Sequence, residues 1–351
     1  MATHLGTLGW RKTMPNRSFW EDKTVLITGH RGFIGSWLVA ALSCTKVKIA
    51  GMDIETSHTY RYFDFKDKRV ANIQNRQRVL WDMESVKPDV VFHLAAQPIV
   101  SDGEANDYHT FLTNTLGTAN ILNAVERFAP NAVVINMSTD KVYAPWAMPE
   151  GGFTEESQLG AESHYACSKI AAETIVDMYR ARGLKTVTVR AGNVFGGGDF
   201  GLNRIITGTI YSIEHGYPLF MRNPEGSRPY QYVMNVVYAL LTLAEARYER
   251  ELMKPWYNVG PDKATNNIQI ATDFANAYGA TLHWRKDETV GYVETNNLHL
   301  DCSAYKREFG SLPDIYNYEN GIQATARVYK EIYNERVCTD TKLYNGVWNE
   351  R

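Results

Sequence analysis

The sequence lacks the features that mark membrane proteins, nucleic-acid-binding proteins and disulfide-stabilised proteins. Its longest apolar runs are far shorter than the roughly 20 residues that cross a bilayer. Its lysines and arginines are scattered, and its four cysteines form no CxxC or Cys/His pair. The N-terminal stretch has no apolar segment of the kind found in secretory signals. We therefore expect a cytoplasmic protein with no membrane or nucleic-acid partner, no disulfide framework and no metal site.

The sequence does contain a regular alternation of short apolar runs and segments with helical periodicity. The runs interpreted as strands cover residues 25–27, 47–53, 88–96 and 132–138. The segments interpreted as helices between and after them cover residues 36–42, 75–86 and 113–128. This alternation predicts an α/β fold with a doubly wound parallel sheet, in which ligands bind beyond the carboxyl ends of the strands. A length of 351 residues allows one large domain of this type and a second, smaller lobe.

The first strand is followed at once by three glycines with the spacing G-x-x-G-x-x-G. A strand that turns through glycines into a helix leaves backbone N–H groups at the helix N-terminus, where they suit the pyrophosphate of a dinucleotide. An ordinary tight turn between a strand and a helix is the alternative interpretation. The residues predicted to bind the dinucleotide here are Gly29, Arg31, Gly32, Phe33, Ile34 and Gly35.

Two residues near this turn indicate which dinucleotide binds. Asp53 ends the second strand, where an acidic side chain can accept hydrogen bonds from a ribose diol and repel a 2′-phosphate. Arg31 could instead reach a 2′-phosphate, so the motif favours NAD and leaves NADP open. Ala95 and Ala96 are small enough to let a flat cofactor approach the backbone, whereas His93 is interpreted as a packed core residue.

Tyr165 and Lys169 are the predicted catalytic pair. They lie four residues apart in a predicted helix over residues 164–182, so the phenol and the ammonium share one face. We expect the lysine to lower the pKa of the phenol towards neutrality. A phenolate can then take a proton from an alcohol while hydride leaves the same carbon. The preceding strand ends in Ser138-Thr139-Asp140-Lys141, at the same edge of the predicted sheet as the glycine turn.

In this order, the motifs resemble those of the extended short-chain dehydrogenase/reductases that act on nucleotide sugars. Within that family the chain is most similar to the 4,6-dehydratases of CDP-glucose. The segments that carry the resemblance are TGHRGFIGSWL (28–38), FHLAAQPIV (92–100), STDK (138–141), RAGNVFGGGDF (190–200), RNPEGSRPYQYV (222–233) and LDCSAYK (300–306). The resemblance implies a Rossmann-like cofactor domain and a smaller C-terminal α/β lobe that binds the substrate.

The resemblance also implies how the chain is divided and assembled. The NAD(P)-binding domain is predicted to comprise residues 21–195 and 233–260, and the nucleotide-sugar-binding lobe residues 196–232 and 261–335. Residues 1–20 would form an N-terminal extension and residues 336–351 a tail. Members of the family usually pair through a helix bundle, so we expect a homodimer.

The reaction implied by the resemblance removes water from a sugar without net oxidation. Tyr165 would deprotonate O4 with Thr139 hydrogen-bonded beside it, while Lys169 assists the phenol. Asp140 would protonate the hydroxyl that leaves C6. Lys141 would take the proton from C5, which requires a depressed pKa in a dry site. A solvated charge pair at the end of a strand is the alternative interpretation of Asp140 and Lys141.

The resemblance further implies that Asn193, Arg204 and Arg228 bind the diphosphate, for which arginine is well suited. A surface charge is an equally good interpretation of Arg204. A 4-epimerase or an NADPH-dependent 4-keto reductase of the same fold would need Thr139 and Tyr165 but no acid at O6. A non-catalytic NAD-binding regulatory protein, which would show no turnover, is the remaining alternative.

Overall fold

The computed structural model describes residues 16–54, 67–201, 203–288 and 297–336. Its strands are, in chain order, β1 (Thr24–Thr28), β2 (Lys48–Asp53), β3 (Asp67–Val70), β4 (Val90–His93), β5 (Val133–Thr139), β6 (Lys185–Ala191), β7 (Val194–Phe195), β8 (Leu219–Met221), β9 (Ser227–Arg228), β10 (Gln231–Tyr232), β11 (Trp256–Val259), β12 (Thr265–Asn266) and β13 (Trp284–Lys286). Seven of them form a parallel sheet in the order β11-β6-β5-β4-β1-β2-β3. The predicted α/β fold with a Rossmann-like, doubly wound parallel sheet is confirmed.

The α-helices connect these strands and cover both faces of the sheet. They are α1 (Phe33–Leu42), α2 (Arg76–Val86), α3 (Val100–Ala105), α4 (Asp107–Phe111), α5 (Gly117–Phe128), α6 (His164–Ala181), α7 (Ile205–His215), α8 (Val233–Glu249), α9 (Asn267–Tyr278), α10 (Ser303–Phe309) and α11 (Tyr318–Arg336). A π-helical turn over Leu112–Leu116 joins α4 to α5, and short 3₁₀ turns cover Arg17–Trp20, Asp140–Val142, Pro145–Ala147 and Asp314–Tyr316.

Successive residues of each central strand are buried on opposite faces of the sheet, as the strand period requires. Val25 and Ile27 of β1 pack into a core with α1 and α8, while Leu26 packs into a second core with α2, α5 and α6. Both faces are therefore apolar and covered, which explains why the strands are continuous apolar runs in the sequence.

Three small two-stranded sheets lie outside the central sheet, pairing β7 with β10, β8 with β13 and β9 with β12. The β8–β13 and β9–β12 pairs connect the segment that follows β6 with the segment that follows β11. Strands β8 and β9 lie within residues 219–228, and β12 and β13 lie within residues 265–286. Of the predicted extension and tail, residues 1–15 and 337–351 lie outside the described residues. Within the described ranges, none of the helices combines the length and apolar character needed to cross a bilayer.

The helices predicted over residues 36–42 and 113–128 start at different residues in the structure, and one strand was not predicted. Helix α1 begins at Phe33 rather than Ser36, because Gly32 already has the extended conformation of an N-cap. The predicted helix over residues 113–128 starts in the π-helical turn and becomes α-helical at Gly117. Strand β3 was not predicted, because its sequence, DKRV, lacks apolar alternation and pairs with β2 at the edge of the sheet.

Candidate active site

The glycine turn between β1 and α1 is shaped by close backbone contacts. Gly29 has a φ of +72°, and a Cβ there would lie 2.8 Å from the amide nitrogen of Ala95. A Cβ at Gly35 would overlap the carbonyl oxygen of Gly29. No side chain caps the start of α1, where Gly32 is the N-cap. The turn therefore brings the predicted glycines and Ala95 together and directs the first N–H groups of α1 out of the sheet.

Asp53 lies beside this turn, at the end of β2. Its carboxylate accepts hydrogen bonds from the backbone N–H groups of Arg31 (2.7 Å) and Ile54 (2.8 Å). Burial raises the pKa of Asp53, and these two amides oppose that effect. The guanidinium of Arg31 reaches the carbonyl oxygen of Ile54 at 3.5 Å. The predicted ribose-binding acid and the predicted 2′-phosphate-binding arginine are thus neighbours at one edge of the turn.

These residues fit a dinucleotide. The space beside Gly29 and Gly35 is limited by backbone atoms, so a Cβ at either position would collide with the backbone and displace the turn that presents the first N–H groups of α1. The N-terminus of α1 offers donors to a pyrophosphate, and a carboxylate has lone pairs beyond the two that Asp53 uses here. The alanines at the end of β4 are half-buried, with Ala95 donating its N–H to Thr28 Oγ1 at 3.2 Å. We expect the small side chains of Ala95 and Ala96 to leave the backbone accessible there.

His93 is a core residue, as predicted. Its two ring nitrogens are hydrogen-bonded to Thr28 Oγ1 (2.8 Å) and Thr118 Oγ1 (2.9 Å), and its side chain is buried. Burial lowers the pKa of His93 to about 3, so the ring is neutral at pH 7. A neutral imidazole with both nitrogens engaged in the core does not serve as a ligand here.

Tyr165 and Lys169 lie in the first turns of α6, which is capped by Ser163 accepting a hydrogen bond from the amide of Ala166 (3.1 Å). Both side chains are buried. Tyr165 is hydrogen-bonded to the side chain of Thr139 at the end of β5. Lys169 Nζ donates to the carbonyl oxygen of Met137 at 2.7 Å. The structure therefore brings the predicted tyrosine, lysine and threonine together at the carboxyl edge of the sheet.

The expected pKa of Tyr165 is wrong for this structure. Burial raises it to about 12, and the groups that oppose this effect are Thr139, through a hydrogen bond, and Arg204, through its charge. The ammonium of Lys169 is directed to the strand backbone, and burial lowers the pKa of that lysine to about 8. Burial therefore dominates the pKa of the phenol, and the predicted lowering by the lysine is not seen.

Asp140 and Lys141 form a short turn directly after β5. Asp140 is 1% exposed, and one of its carboxylate oxygens is 3.4 Å from Lys141 Nζ and 3.1 Å from Thr139 Oγ1. Among the described residues, no hydrogen-bond partner lies near its other oxygen, Oδ2. The Lys141 side chain is 34% exposed, so the lysine lies at the rim of the site rather than in the dry surroundings expected for a base.

The predicted anion-binding residues lie on neighbouring segments. Asn193 accepts a backbone hydrogen bond from Gln231 (2.9 Å), which places it beside the segment that carries Arg228. Arg228 is buried, with Nη1 donating to the carbonyl oxygen of Ser227 at 2.8 Å. Arg204 begins α7 and pairs with Asp199 at 3.2 Å, close enough to Tyr165 to lower the pKa of its phenol.

Comparison with protein families gives one match over most of the chain. The pattern described as the NAD dependent epimerase/dehydratase family matches residues 25–260. The chain belongs to this family. The match covers the glycine turn, the Asp140–Lys141 turn and the Tyr165–Lys169 pair, and it agrees with the resemblance to extended short-chain dehydrogenase/reductases.

Individual members of the epimerase/dehydratase family are similar over nearly their whole length. CDP-glucose 4,6-dehydratase of Salmonella typhimurium is 29% identical over 321 residues, covering 86% of this chain and 89% of that enzyme. dTDP-glucose 4,6-dehydratase of Haemophilus influenzae is 24% identical over 342 residues, covering 87% of this chain and 97% of that enzyme. Among solved structures, UDP-glucose 4-epimerase of Thermotoga maritima with UDP-glucose superposes with a TM-score of 0.80 at 22% identity, covering 88% of this chain and 99% of that one. The last likeness supports the fold alone.

Sequence reasoning missed one ion pair in this epimerase/dehydratase site. Glu173 and Arg190 are both buried, and Arg190 Nη2 donates to Glu173 Oε2 at 2.7 Å. Glu173 follows Lys169 by four residues on the predicted helix, so its position on the catalytic face could have been read from the spacing. Its partner, Arg190 on β6, is distant in sequence, so no local spacing could have identified the pair.

Proposed function

We propose that the protein is an NAD-dependent nucleotide-sugar 4,6-dehydratase whose substrate is CDP-glucose. The observation that carries the proposal is the buried Asp140 carboxylate, which lies next to Thr139 and Tyr165 and has one oxygen without a partner among the described residues. A 4-epimerase or 4-keto reductase needs no acid beside the phenol to release a hydroxyl from C6. The 29% identity with CDP-glucose 4,6-dehydratase supports the choice of substrate.

The residues at the carboxyl edge of the sheet would divide the proton transfers among them. When bound, NAD would take up hydride from C4 of the sugar and later return hydride to C6. Tyr165 would accept the proton of the C4 hydroxyl, with Thr139 orienting that oxygen through its hydroxyl. Lys169, four residues after Tyr165 on α6 and hydrogen-bonded to β5, would stabilise the phenolate by its charge. Because Tyr165 is buried, this stabilisation has to offset the desolvation that keeps the phenol protonated.

Asp140 and Lys141 would carry out the loss of water. The 4-ketone acidifies the proton on C5, which Lys141 would remove while Asp140 protonates the departing C6 hydroxyl. For both roles, the Asp140 carboxyl has to be protonated and the Lys141 amine has to be neutral. The two groups are 3.4 Å apart, so transfer of a proton between them produces that neutral pair without a net change of charge. Enclosure by a sugar would favour the neutral pair, since burial disfavours charged groups.

We propose that residues 196–232 and 261–335 form the lobe that binds the nucleotide sugar. Within this proposed lobe, the charge of Arg204 acts on the Tyr165 phenol, and Arg228 lies three residues before Gln231, whose N–H donates to the carbonyl oxygen of Asn193. Guanidinium groups bind phosphate oxygens in pairs, so these arginines suit the diphosphate of the substrate. The charge of Arg204 lowers the pKa of the Tyr165 phenol, so this arginine would also stabilise negative charge there.

We propose that the protein is a homodimer that pairs through α4, α5 and α6. These helices and the π-turn between them expose apolar side chains, namely Tyr108, Leu116 and Met178. Large apolar side chains left exposed on neighbouring helices are candidates for an interaction surface. Analytical ultracentrifugation of the wild type and of a Leu116→Glu/Met178→Glu variant tests this: the wild type should sediment as a dimer and the variant as a monomer, whereas a wild-type monomer would contradict the proposal.

Incubation with nucleotide sugars tests the proposed reaction. The purified protein is mixed with NAD and separately with CDP-, UDP-, GDP- and dTDP-glucose, without a reductant, and the products are analysed by mass spectrometry and NADH absorbance. We expect loss of one water from CDP-glucose alone, with no net NADH. Loss of water from another nucleotide sugar would retain the mechanism and change the substrate. Epimerised sugar with no loss of water, or reduction that depends on NADPH, would overturn the roles of Asp140 and Lys141.

A further inference from the structure

A side-chain network lies behind the catalytic residues, between α6 and the ends of β5 and β6. At its centre is the carboxylate of Glu173, 5% exposed, which accepts a hydrogen bond from Ser138 Oγ. Arg190, 3% exposed, donates to the same carboxylate through Nε at 3.2 and 3.1 Å and through Nη2 at 2.7 Å. Charged groups this deeply buried are retained only when they are paired and hydrogen-bonded.

Glu173 lies on the same face of α6 as the catalytic pair. It follows Lys169 by four residues and Tyr165 by eight, close to one and two helical turns. Lys169 holds α6 to the backbone of Met137, and Glu173 holds it to the side chain of Ser138. Helix α6 is therefore fastened to two consecutive residues of β5, immediately before the threonine that hydrogen-bonds the phenol.

The partner of Glu173 extends the network to the segment after the Asp140–Lys141 turn. Arg190 Nη1 donates to the hydroxyl of Tyr143 (3.1 Å) and to the backbone carbonyl of Glu155 (3.0 Å). The Tyr143 hydroxyl donates in turn to Asn258 Oδ1 at 2.6 Å on β11. The phenol-bearing helix, the strand end and the segment that follows the acid–base turn are thus linked through one buried ion pair.

We propose that Glu173 is a positioning residue for the reaction, whose carboxylate locks the helix of Tyr165 and Lys169 onto the end of β5 and provides a countercharge for the Lys169 ammonium. This inference rests on the catalytic roles given above to Tyr165 and Lys169. Catalysis by proton transfer requires the reacting groups to be held within hydrogen-bond reach, so a loosened helix would lower turnover rather than substrate binding.

Three strands contribute titratable groups to the region between α6 and the sheet. Strand β4 contributes His93, whose ring is neutral, strand β5 leads into Asp140, and β6 contributes Arg190, whose charge is paired with Glu173. On α6 itself, Glu173 raises the pKa of Lys169 against the larger lowering by burial. Loss of the Glu173 charge should therefore lower the pKa of the lysine further and remove the ammonium at a less alkaline pH.

The test compares Glu173→Gln, Arg190→Gln and the double variant. The titration of Lys169 is followed by NMR in protein labelled at lysine Cε, with the signal assigned by its absence in Lys169→Arg. Glu173→Gln should move the titration down by roughly one pH unit, because the countercharge is lost. Arg190→Gln breaks the same ion pair and leaves the countercharge, so its titration should not move down. The double variant leaves no unpaired buried charge, so it should fold even if Glu173→Gln does not, and the titration can then be measured in the double variant.

Turnover provides the second readout. With the double variant, the alkaline limb of the kcat profile should lie at lower pH than with Arg190→Gln by about that amount, and kcat should be about tenfold below the wild type with little change in KM. A double variant in which Lys169 titrates at the same pH as in Arg190→Gln would overturn the inference, whatever its thermal stability. A shifted titration in a protein that dehydrates no nucleotide sugar would overturn the proposed function and leave the role of Glu173 towards Lys169 intact.

Discussion

The two ends of the central sheet each bury a glutamate, with different partners. At the carboxyl end, Glu173 is held by the guanidinium of Arg190 and by Ser138. At the amino end, Glu245 of α8 accepts a hydrogen bond of 2.6 Å from the indole N–H of Trp20, which is fully buried just before β1. Burial raises the pKa of Glu245 to about 8, so this carboxyl is largely protonated at pH 7.

The difference shows how the same residue type serves chemistry or packing. A cation beside a buried carboxylate compensates the lost hydration, so the charge can remain inside and act on its neighbours. A single indole N–H compensates only part of that loss, so Glu245 fills space as a neutral acid. The amino end of the sheet is therefore expected to affect stability, and the carboxyl end turnover.

Removal of the phenol hydroxyl should produce the largest effect at the carboxyl end. Tyr165→Phe should lower turnover by about 10³-fold, because the general base is lost. Thermal stability should change little, since the ring remains packed. Tyr179→Phe, another buried tyrosine of α6, is the matched control and should retain wild-type turnover. Comparable losses in the two variants would indicate damage to α6 rather than loss of a base.

Removal of the candidate acid should separate the two halves of the reaction. Asp140→Asn keeps the shape of the side chain but cannot protonate the C6 hydroxyl, so loss of water should slow by about 100-fold. Hydride uptake from C4 should persist, and NADH should accumulate transiently on mixing with substrate. Stopped-flow absorbance follows the NADH, with Asp177→Asn on the exposed side of α6 as the control. Equal slowing of both steps would contradict the assigned role.

Two glycines with the same backbone conformation test whether the turn between β1 and α1 binds the cofactor. Gly29 and Gly216 have nearly equal positive φ angles, +72° and +71°, but a Cβ meets Ala95 at the first and nothing within 4 Å at the second. Both Gly→Ala variants should lose about 1 kcal/mol of stability from the left-handed backbone. Gly29→Ala should also weaken NAD binding by at least about tenfold, measured by calorimetry, since each factor of ten is about 1.4 kcal/mol. Equal affinity in the two variants would place the dinucleotide elsewhere.

Much of the carboxyl end could be predicted because its signals are local. The glycine turn, the Tyr165–Lys169 spacing and the apolar strands depend on periods of a few residues, which a sequence displays directly. The parallel sheet then brings the strand ends to one edge. The placement of Arg204 beside the phenol was not predicted, because it depends on how α7 packs against the sheet.

The errors have the same physical origin. The pKa of Tyr165 was expected to fall because a lysine lies one turn away, but the amount of burial is a tertiary property and dominates. The Glu173–Arg190 pair joins a helix to a strand that is distant in sequence, so no local spacing indicates which residue pairs with Glu173. Strand β3 has no apolar alternation and exists through backbone pairing with β2.

The amino end should show no effect on turnover, and its effect on stability depends on pH. The pKa of Glu245 is about 8 when folded and about 4.5 when unfolded, so the unfolded chain loses its proton first and stability falls between these values as pH rises. Glu245→Gln keeps an acceptor for Trp20 and cannot ionise, so it should be more stable than the wild type by about 4 kcal/mol at pH 8 and by about 1 kcal/mol at pH 5. Urea denaturation at the two pH values measures this.

The exposed neighbour Glu249 on α8 provides the control for that measurement. Its charge raises the pKa of Glu245, so Glu249→Gln should reduce the pH dependence slightly without abolishing it. Turnover should be unchanged in both variants, because neither residue touches the carboxyl end of the sheet. A pH-independent gain in Glu245→Gln would mean that the carboxyl keeps one charge state throughout. The contrast between the two ends of the sheet would then be supported only by the charged state of Glu173 at the carboxyl end, and not by Glu245.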